Sequence, residues 1–318
     1  MSDRNEHIAR FLSGTHWQNW PQRPVAGDAS ARRYLRLSDG KTSVILMDAP
    51  PSENGPTQPF ADMAAHLLQS GLAAPEVFAH DPATGLMVIG DLGKTDFAAH
   101  LRQSPKDEIR LYKAATEVLI KLAAIQPPQH LTRMTPDVAT DMIDVLCPHY
   151  TKADLTVLKN QLRDALASYA PEPNTLALRD FHAENLIWRP ALAGHARVGL
   201  LDFQDAFVAP AGYDLVSLLR DARRDMSDAT MLDCRDHYIA QTGAPTHFPT
   251  TLACLGVTRN LRILGVFARL AKSAGKTRYL AFLSRVWAHL LADLADPALQ
   301  DLRRVVLDTL PAPDRLTQ

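Results

Sequence analysis

Apolar residues in the first ninety positions fall into four short runs typical of β-strands and one longer run with helical spacing. Clusters of turn-forming residues separate these runs. The helical run, Phe60–Ser70, stops at Gly71, a residue type that commonly ends helices. This order predicts a β-β-α-β-β arrangement. The predicted strands are Tyr34–Leu37, Thr42–Met47, Glu76–Ala79 and Leu86–Ile89.

Beyond Gly90–Gly93, the apolar residues recur with the 3.6-residue period of amphipathic helices. We therefore predict an α+β fold class with two domains, residues 1–90 as a small β-rich lobe and residues 91–318 as a larger helical lobe. A chain of 318 residues is long enough for two lobes with separate cores. The predicted helices are Ile109–Ile125, Lys152–Tyr169, Tyr213–Arg223, Thr250–Lys272 and Tyr279–Leu294.

Net charge and cysteine content narrow the expected partners. A formal net charge of −1 gives no overall field for nucleic acid or an anionic membrane, so we expect neither as a partner. The three cysteines form no C-x-x-C pair, which argues against a disulfide framework or a structural zinc site. The sequence shows neither an apolar leader nor an uninterrupted apolar run of membrane-spanning length. These features predict a cytoplasmic protein.

Two segments combine acidic and amide side chains with apolar strands: LALRDFHAENLIW at 176–188 and VGLLDFQDA at 198–206. Phosphoryl transfer needs a carboxylate that orients the attacking hydroxyl and takes its proton, and oxygen ligands for Mg²⁺. Protein kinases carry the first carboxylate and a metal-binding Asn five positions apart on one loop. Asp180 and Asn185 have that spacing. The pattern predicts a kinase with Asp180 as the catalytic base.

The second carboxylate, Asp202, ends the later apolar run Val198–Leu201. That run and Leu186–Trp188 are predicted to pair as a hairpin, which would bring Asn185 and Asp202 to one Mg²⁺ ion. We therefore predict these two residues as the metal ligands. Taken alone, an Asp near a strand end is more often a turn or capping residue.

The β-rich lobe, the helical lobe and this loop together resemble the aminoglycoside phosphotransferase family, small-molecule relatives of protein kinases. That family's loop usually reads His-Gly-Asp-x-His-x-x-Asn, against LRDFHAEN at 178–185 here. Its metal strand reads Ile-Asp-Trp/Phe-x-Asp and precedes Pro-x-x-Asp-Leu, against LDFQD at 201–205 and PAGYDL at 210–215. The resemblance covers nearly the whole chain. It implies a two-lobed, protein-kinase-like fold with a nucleotide-binding N-terminal lobe and an acceptor site in the C-terminal lobe.

Within that family, four stretches look most like the anomeric sugar kinases of bacterial cell-wall recycling, which phosphorylate the C1 hydroxyl of N-acetylmuramate and N-acetylglucosamine. This likeness implies ATP as co-substrate, Mg²⁺ as cofactor and an amino sugar as the small-molecule acceptor. The stretches are DASARRY at 28–34, MDAPP at 47–51, RDFH at 179–182, and RNL with GVFARL at 259–261 and 265–270.

One departure from the kinase pattern concerns the cation that holds the nucleotide phosphates. Kinases place a Lys on the third strand, paired with a helix Glu. The matching strand here, Val44–Met47, has no Lys. Arg32 and Arg33, which follow the turn Gly27–Ser30, are the candidate replacements. The alternative is a plain hairpin with solvated arginines.

Four further residues have both a functional and a structural interpretation, and a fifth, Asp214, has a structural one. His182 is a candidate catalytic residue, but a single His in a loop more often supports it by hydrogen bonding. Asp205 is predicted to contact substrate or to occupy a turn or cap. Asp214, at a helix start, is predicted to be structural. By resemblance, Asp91 and Leu92 supply backbone groups to adenine, or else form an ordinary turn.

Arginines of the helical lobe are candidate partners for an acidic acceptor. Arg259 is the predicted substrate contact, because a guanidinium fork suits the lactyl carboxylate of N-acetylmuramate. The alternative for this residue and for the arginines at 220, 223 and 224 is surface salt bridging with Asp221, Asp225 or Asp228.

Two other functions remain open at this stage. The first is a kinase for an aminoglycoside, choline-like or homoserine-like amine, whose pocket should be lined by acids. The second is a pseudokinase that binds nucleotide without turnover, which the missing strand Lys favours. The presence of Asp180, Asn185 and Asp202 argues against it, because a pure binder has no chemical need for all three.

Overall fold

The structure is a computed structural model that describes residues 2–25 and 32–315. The predicted turn Gly27–Ser30 lies outside the described residues. The chain divides into two compact units. The N-terminal unit comprises Met1–Phe97 and Asn185–Asp205, and the C-terminal unit comprises Ala98–Glu184 and Ala206–Gln318.

The N-terminal unit is built on a five-stranded antiparallel sheet of order β1-β2-β3-β5-β4. The four predicted strands and the helix ending before Gly71 are confirmed within a few residues, and α1, β1 and the short α2 are additional. The elements are α1 (Ser2–Leu12), β1 (Gln22–Val25), β2 (Arg33–Ser38), β3 (Ser43–Asp48), α2 (Pro51–Asn54), α3 (Gln58–Gln69), β4 (Val77–Asp81) and β5 (Leu86–Gly90).

Helix α1 closes one apolar core of this unit. Its buried residues Ile8 and Leu12 join Trp17 and the buried residues of the sheet in one cluster. Removing such side chains from water is the main stabilising contribution of a core. The sheet residues of the cluster are Leu37, Val44, Leu46, Leu86 and Val88.

The C-terminal unit is mainly helical, as predicted. The 26-residue helix Phe248–Ser273 is long and apolar enough to cross a membrane, but 83% of its most apolar window is buried inside the protein, as expected of a core helix. The unit's elements, with the β7–β8 hairpin of the N-terminal unit in chain order, are α4 (Phe97–Gln103), α5 (Glu108–Ala123), α6 (Pro136–Asp141), α7 (Thr156–Tyr169), β6 (Thr175–Ala177), β7 (Leu186–Trp188), β8 (Val198–Leu200), β9 (Phe207–Ala209), α8 (Tyr213–Leu219), α9 (Asp228–Thr242), α10 (Phe248–Ser273), α11 (Leu280–Asp293) and α12 (Gln300–Thr309).

The β7–β8 hairpin belongs to the N-terminal unit although it lies late in the chain. Leu200 N donates to Ala73 O over 2.8 Å, and Trp188 N donates to Thr95 O over 3.0 Å. These backbone bonds tie both strands to the segment around β4 and β5. Each unit therefore consists of two separate stretches of the chain. The predicted lobes, divided once at residue 90, were each a single stretch, and that division stays a prediction.

Candidate active site

Asp180 follows β6 in a loop that the buried carboxylate of Asp214 holds in place. Asp214 Oδ2 accepts a hydrogen bond from Leu178 N at 2.5 Å, and Oδ1 accepts one from Arg179 N at 3.0 Å. Asp214 is 6% exposed on α8. Burial raises its pKa to about 7, against the lowering effect of the two N–H donors. The structural role predicted for Asp214 is therefore to anchor the loop immediately before Asp180 through these two backbone hydrogen bonds.

The loop residue Arg179 has a backbone φ of 76°, a left-handed conformation that favours glycine. The family's loop motif has glycine at this position. Ser217 Oγ donates to Arg179 O over 3.4 Å, and the guanidinium lies 5.8 Å from the ring centre of Phe207. Strained backbone of this kind is common at functional sites because the surrounding contacts hold it there.

A second buried carboxylate, Asp221, holds the later part of the loop. It is 3% exposed and accepts hydrogen bonds from Ala183 N and Arg223 N. Arg223 in turn forms a salt bridge with Glu184, with Nε and Oε2 3.2 Å apart. Helix α8 ends at Leu219, earlier than predicted, and Asp221 acts from the segment that follows it.

His182 is 5% exposed, and Arg223 Nη1 donates to its Nε2 over 3.4 Å. Burial, with the charges of Arg223 and Arg259, holds the pKa of His182 well below its usual value. The imidazole is therefore neutral at pH 7 and its Nε2 accepts a hydrogen bond. This geometry favours a supporting role in the loop, and the catalytic role of His182 stays a prediction.

Asn185 and Asp202 lie at the open end of the β7–β8 hairpin. The two strands pair antiparallel with Leu186 opposite Leu200, which confirms the predicted hairpin. Leu201 N donates to Asn185 O over 3.0 Å, so the backbones on either side of the two candidate ligands are adjacent. Asp202 has a φ of 58°, and Gln204 Nε2 donates to its Oδ1 over 2.8 Å.

Apolar packing holds the hairpin in the N-terminal unit. Phe203 is fully buried and stacks on Phe60 of α3, with ring centres 5.0 Å apart. Trp188 meets Phe97 edge to face at 5.7 Å. At Gly199 a Cβ would lie 3.0 Å from Leu92 Cδ1, so β8 passes tightly against the segment that follows β5. The position of Asp202 therefore depends on a packed aromatic neighbour.

The donor set of the hairpin fits Mg²⁺. One carboxylate and one amide oxygen are hard ligands, and Mg²⁺ commonly takes only one or two protein carboxylates while water and substrate phosphates complete its shell. Within residues 2–25 and 32–315, no group of three His, Cys, Asp or Glu side chains could hold a metal ion. At a magnesium site here, water and nucleotide phosphates would complete the ligand shell, as they do in kinases.

The structure separates the two arginines predicted to bind phosphate. Arg33 is paired with Asp48, a fully buried carboxylate that Arg4 Nε also contacts at 2.7 Å. Arg32 instead forms a hydrogen bond with the phenol of Tyr34. Burial raises the pKa of that phenol, Arg32 lowers it and Asp202 raises it. Arg32 and Asp202 therefore lie near the same side chain.

The side chain of Asp91 is fully engaged within the N-terminal unit. Its carboxylate accepts hydrogen bonds from Arg36 Nε at 2.5 Å, Ser43 Oγ at 2.7 Å and Gly93 N at 3.0 Å. Burial raises the pKa of Asp91, but these donors lower it by more, so the net shift is downward. The side chain braces the residues after β5. Contact of the Asp91 and Leu92 backbone with adenine stays a prediction.

The predicted substrate residues occupy different environments. Asp205 is exposed in a turn, which matches the structural alternative as well as the functional one. Arg259 lies on α10 and is 7% exposed. The alternative given for the arginines at 220, 223 and 224, salt bridges with Asp221, Asp225 or Asp228, is wrong, because their salt-bridge partners are other carboxylates. Arg220 pairs with Asp293, Arg223 with Glu184 and Arg224 with Glu108, while Asp225 pairs with Arg285.

Sequence reasoning missed the anchoring of the loop by Asp214 and Asp221. Their spacing of seven residues was the available signal, since it would place two acids on one side of the predicted helix Tyr213–Arg223, although α8 itself ends at Leu219. Nothing in that spacing distinguishes a pair that faces solvent from a pair that accepts backbone hydrogen bonds.

The amino-acid sequence is similar to those of a known enzyme family. Residues 21–248 match the phosphotransferase enzyme family, APH. A curated relative named N-acetylmuramate/N-acetylglucosamine kinase from Caulobacter vibrioides is 36% identical over 95% of this chain and 95% of that protein. One of the same name from Pseudomonas aeruginosa is 29% identical, over 88% and 86%.

Solved structures share the fold at low identity. A choline/ethanolamine kinase family protein from Mesorhizobium loti has a TM-score of 0.65 at 18% identity, over 95% of this chain and 99% of that one. The ADP-bound aminoglycoside phosphotransferase APH(2'')-Ib has a TM-score of 0.61 at 12% identity, over 95% and 98%. The predicted protein-kinase-like fold is thereby confirmed. The chain belongs to the APH phosphotransferase family and is an enzyme of phosphoryl transfer.

Proposed function

We propose that this enzyme uses ATP to phosphorylate the anomeric hydroxyl of N-acetylmuramate or N-acetylglucosamine, giving the sugar 1-phosphate. The observation that carries the proposal is the 36% identity to a kinase named for these two sugars, over nearly the full length of both proteins. A cytoplasmic enzyme of this kind would return amino sugars from cell-wall breakdown to metabolism.

Asp180 is the proposed base. It accepts the proton of the sugar hydroxyl as that oxygen bonds to the γ-phosphorus, while the bond to the ADP oxygen breaks. The buried anchors Asp214 and Asp221 support this role, because they fix the backbone on both sides of Asp180. Positioning of this kind supplies much of the rate in phosphoryl transfer, where the protein forms no covalent bond.

Asn185 and Asp202 are the proposed Mg²⁺ ligands, and Mg²⁺ would neutralise charge on the nucleotide phosphates. Their place at one end of the hairpin and their oxygen donors support this assignment. We assign the phosphate-binding cation to Arg32, not Arg33. Arg33 is paired with the buried carboxylate of Asp48. Arg32 lies beside Tyr34, and the charge of Asp202 also acts on that phenol, so Arg32 lies on the side of the proposed metal ligand.

The experiment measures ATP consumption with five acceptors: N-acetylmuramate, N-acetylglucosamine, glucose, choline and kanamycin. We expect turnover with the two amino sugars and a product identified as the 1-phosphate by ³¹P NMR. Asp180→Asn should lower kcat by about 10³-fold. Asp137→Asn, an exposed acid paired with Arg163 in the same unit, is the matched control and should leave kcat unchanged.

Three outcomes would contradict the proposal in different ways. Consumption of ATP only with the amines would reject the sugar acceptor. Tight ATP binding with no turnover of any acceptor would indicate a nucleotide-binding protein without catalysis. Equal activity in wild type and Asp180→Asn would reject Asp180 as the base.

A further inference from the structure

Helix α10 presents two guanidinium groups on one face of the C-terminal unit. Arg259 and Arg262 are three residues apart, a spacing that places side chains side by side on a helix. Arg259 is 7% exposed and Arg262 is partly buried. Within the described chain neither forms a salt bridge with an Asp or Glu, and the buried Nη1 of Arg259 has no hydrogen-bond partner there.

Both guanidinium groups lie in the electrostatic field of the candidate catalytic loop. Arg262 interacts with Arg179, Asp180 and Tyr213, and burial together with Arg179 lowers its pKa. Arg259 acts on the buried residues Asp214 and His182. Helix α10 packs against α8, which carries Asp214. Arg262 therefore lies near Asp180, and Arg259 lies near the loop anchor Asp214, all within the same unit.

The two buried carboxylates that anchor the loop accept their hydrogen bonds from backbone N–H groups. Asp214 accepts from Leu178 N and Arg179 N, and Asp221 accepts from Ala183 N and Arg223 N. A buried donor without a partner is costly, so the Nη1 of Arg259, which has no partner within the described chain, favours an incoming anion at this position. Arginine in particular suits a carboxylate, because its planar fork donates two parallel hydrogen bonds.

We infer that Arg262, flanked by Arg259, binds the lactyl carboxylate of N-acetylmuramate and sets the preference between this acceptor and N-acetylglucosamine. The inference rests on the proposed function. N-acetylmuramate differs from N-acetylglucosamine only by the lactyl ether at C3, and the carboxylate of that ether is the one charged group that distinguishes them. An enzyme that binds the shared sugar elsewhere would still accept both.

The experiment compares kcat/KM for both sugars, and for the methyl ester of N-acetylmuramate, at saturating MgATP. Arg262→Gln should lower kcat/KM for N-acetylmuramate by about 10–100-fold, chiefly through KM, and change that for N-acetylglucosamine less than about twofold. Arg262→Lys should fall between wild type and Arg262→Gln. Arg269→Gln, an exposed arginine on the same helix, is the matched control and should change neither.

The methyl ester completes a double-mutant cycle, in which one change removes the guanidinium of Arg262 and the other removes the charge of the ligand carboxylate. In wild type, kcat/KM should fall from the acid to the ester by the same factor by which Arg262→Gln lowers kcat/KM for the acid. In Arg262→Gln, kcat/KM should be the same for acid and ester. A parallel loss with both sugars would overturn the inference, because it would place Arg262 at the transferred phosphoryl group or the loop. An unchanged preference would overturn it equally. Turnover of neither sugar by wild type would instead reject the proposed function, and the inference with it.

Discussion

The two segments that carry the candidate chemistry are held by different forces. Buried carboxylates hold the Asp180 loop through hydrogen bonds to its backbone, from Asp214 on one side and Asp221 on the other. Strand pairing and an aromatic stack hold the β7–β8 hairpin, in which Phe203 packs on Phe60. One segment is anchored by titratable groups and the other by apolar ones.

This difference has a physical consequence. A carboxylate that accepts two N–H bonds does so best when it is ionised, so the loop should respond to protonation of its anchors. Apolar packing has no such response near neutral pH. The base and the metal ligands can therefore be perturbed separately, the first by pH and charge and the second by volume.

The largest expected effect separates the chemical roles of the two segments. Asp202→Asn should lower kcat by about 10³-fold at low Mg²⁺ and raise the Mg²⁺ concentration for half-maximal activity by about 10–100-fold. Asp180→Asn should lower kcat similarly with no change in the Mg²⁺ requirement. Steady-state rates over a Mg²⁺ titration measure both. An identical Mg²⁺ dependence in the two variants would remove the distinction between base and ligand.

The next effect tests the apolar anchor. Phe203→Ala should lower the free energy of unfolding by about 3–5 kcal/mol, because it leaves a cavity against Phe60. The loss should be equal at pH 6 and pH 8, measured by urea denaturation. Phe78→Ala is the control, since Phe78 is 45% exposed, and it should cost less than about 1 kcal/mol. A loss that varied with pH would show that the hairpin also depends on titratable groups.

The smallest effect tests the polar anchor. The pKa of Asp214 is about 7, so its carboxyl group gains a proton as the pH falls through 7 and then accepts one loop N–H less well. Wild-type kcat should therefore fall about tenfold from pH 8 to pH 6. Asp214→Asn should stay near the low value throughout and lose that titration. Asp225→Asn, which removes an acid paired with Arg285 elsewhere in the unit, should keep the wild-type profile. A persistent titration in Asp214→Asn would assign it to another group.

Elements with clear apolar periodicity were predictable from sequence. Strands β2 to β5, helix α3 and the hairpin were of this kind. Helix α9 was not, because its buried residues Thr230, Cys234 and Tyr238 are spaced four apart but are not strongly apolar. Helix α1 was missed because only packing on the sheet reveals what Ile8 and Leu12 contribute.

The candidate site was predictable where chemistry fixes spacing. Asp180, Asn185 and Asp202 follow from the ligand geometry of phosphoryl transfer. The different environments of Arg32 and Arg33 do not, because the buried partner Asp48 is 15 positions away and its burial depends on the whole sheet. Long-range partners of this kind leave no local pattern.

The backbone at Arg179 has a consequence for how acceptor choice can change. A side chain at this φ of 76° costs roughly 1–2 kcal/mol that glycine would not. The guanidinium of Arg179 acts on Arg262, beside the proposed carboxylate site. Replacement by glycine would remove a cation while relaxing the chain that carries Asp180. Position 179 thus couples the conformation of the loop to the charge beside the proposed acceptor site.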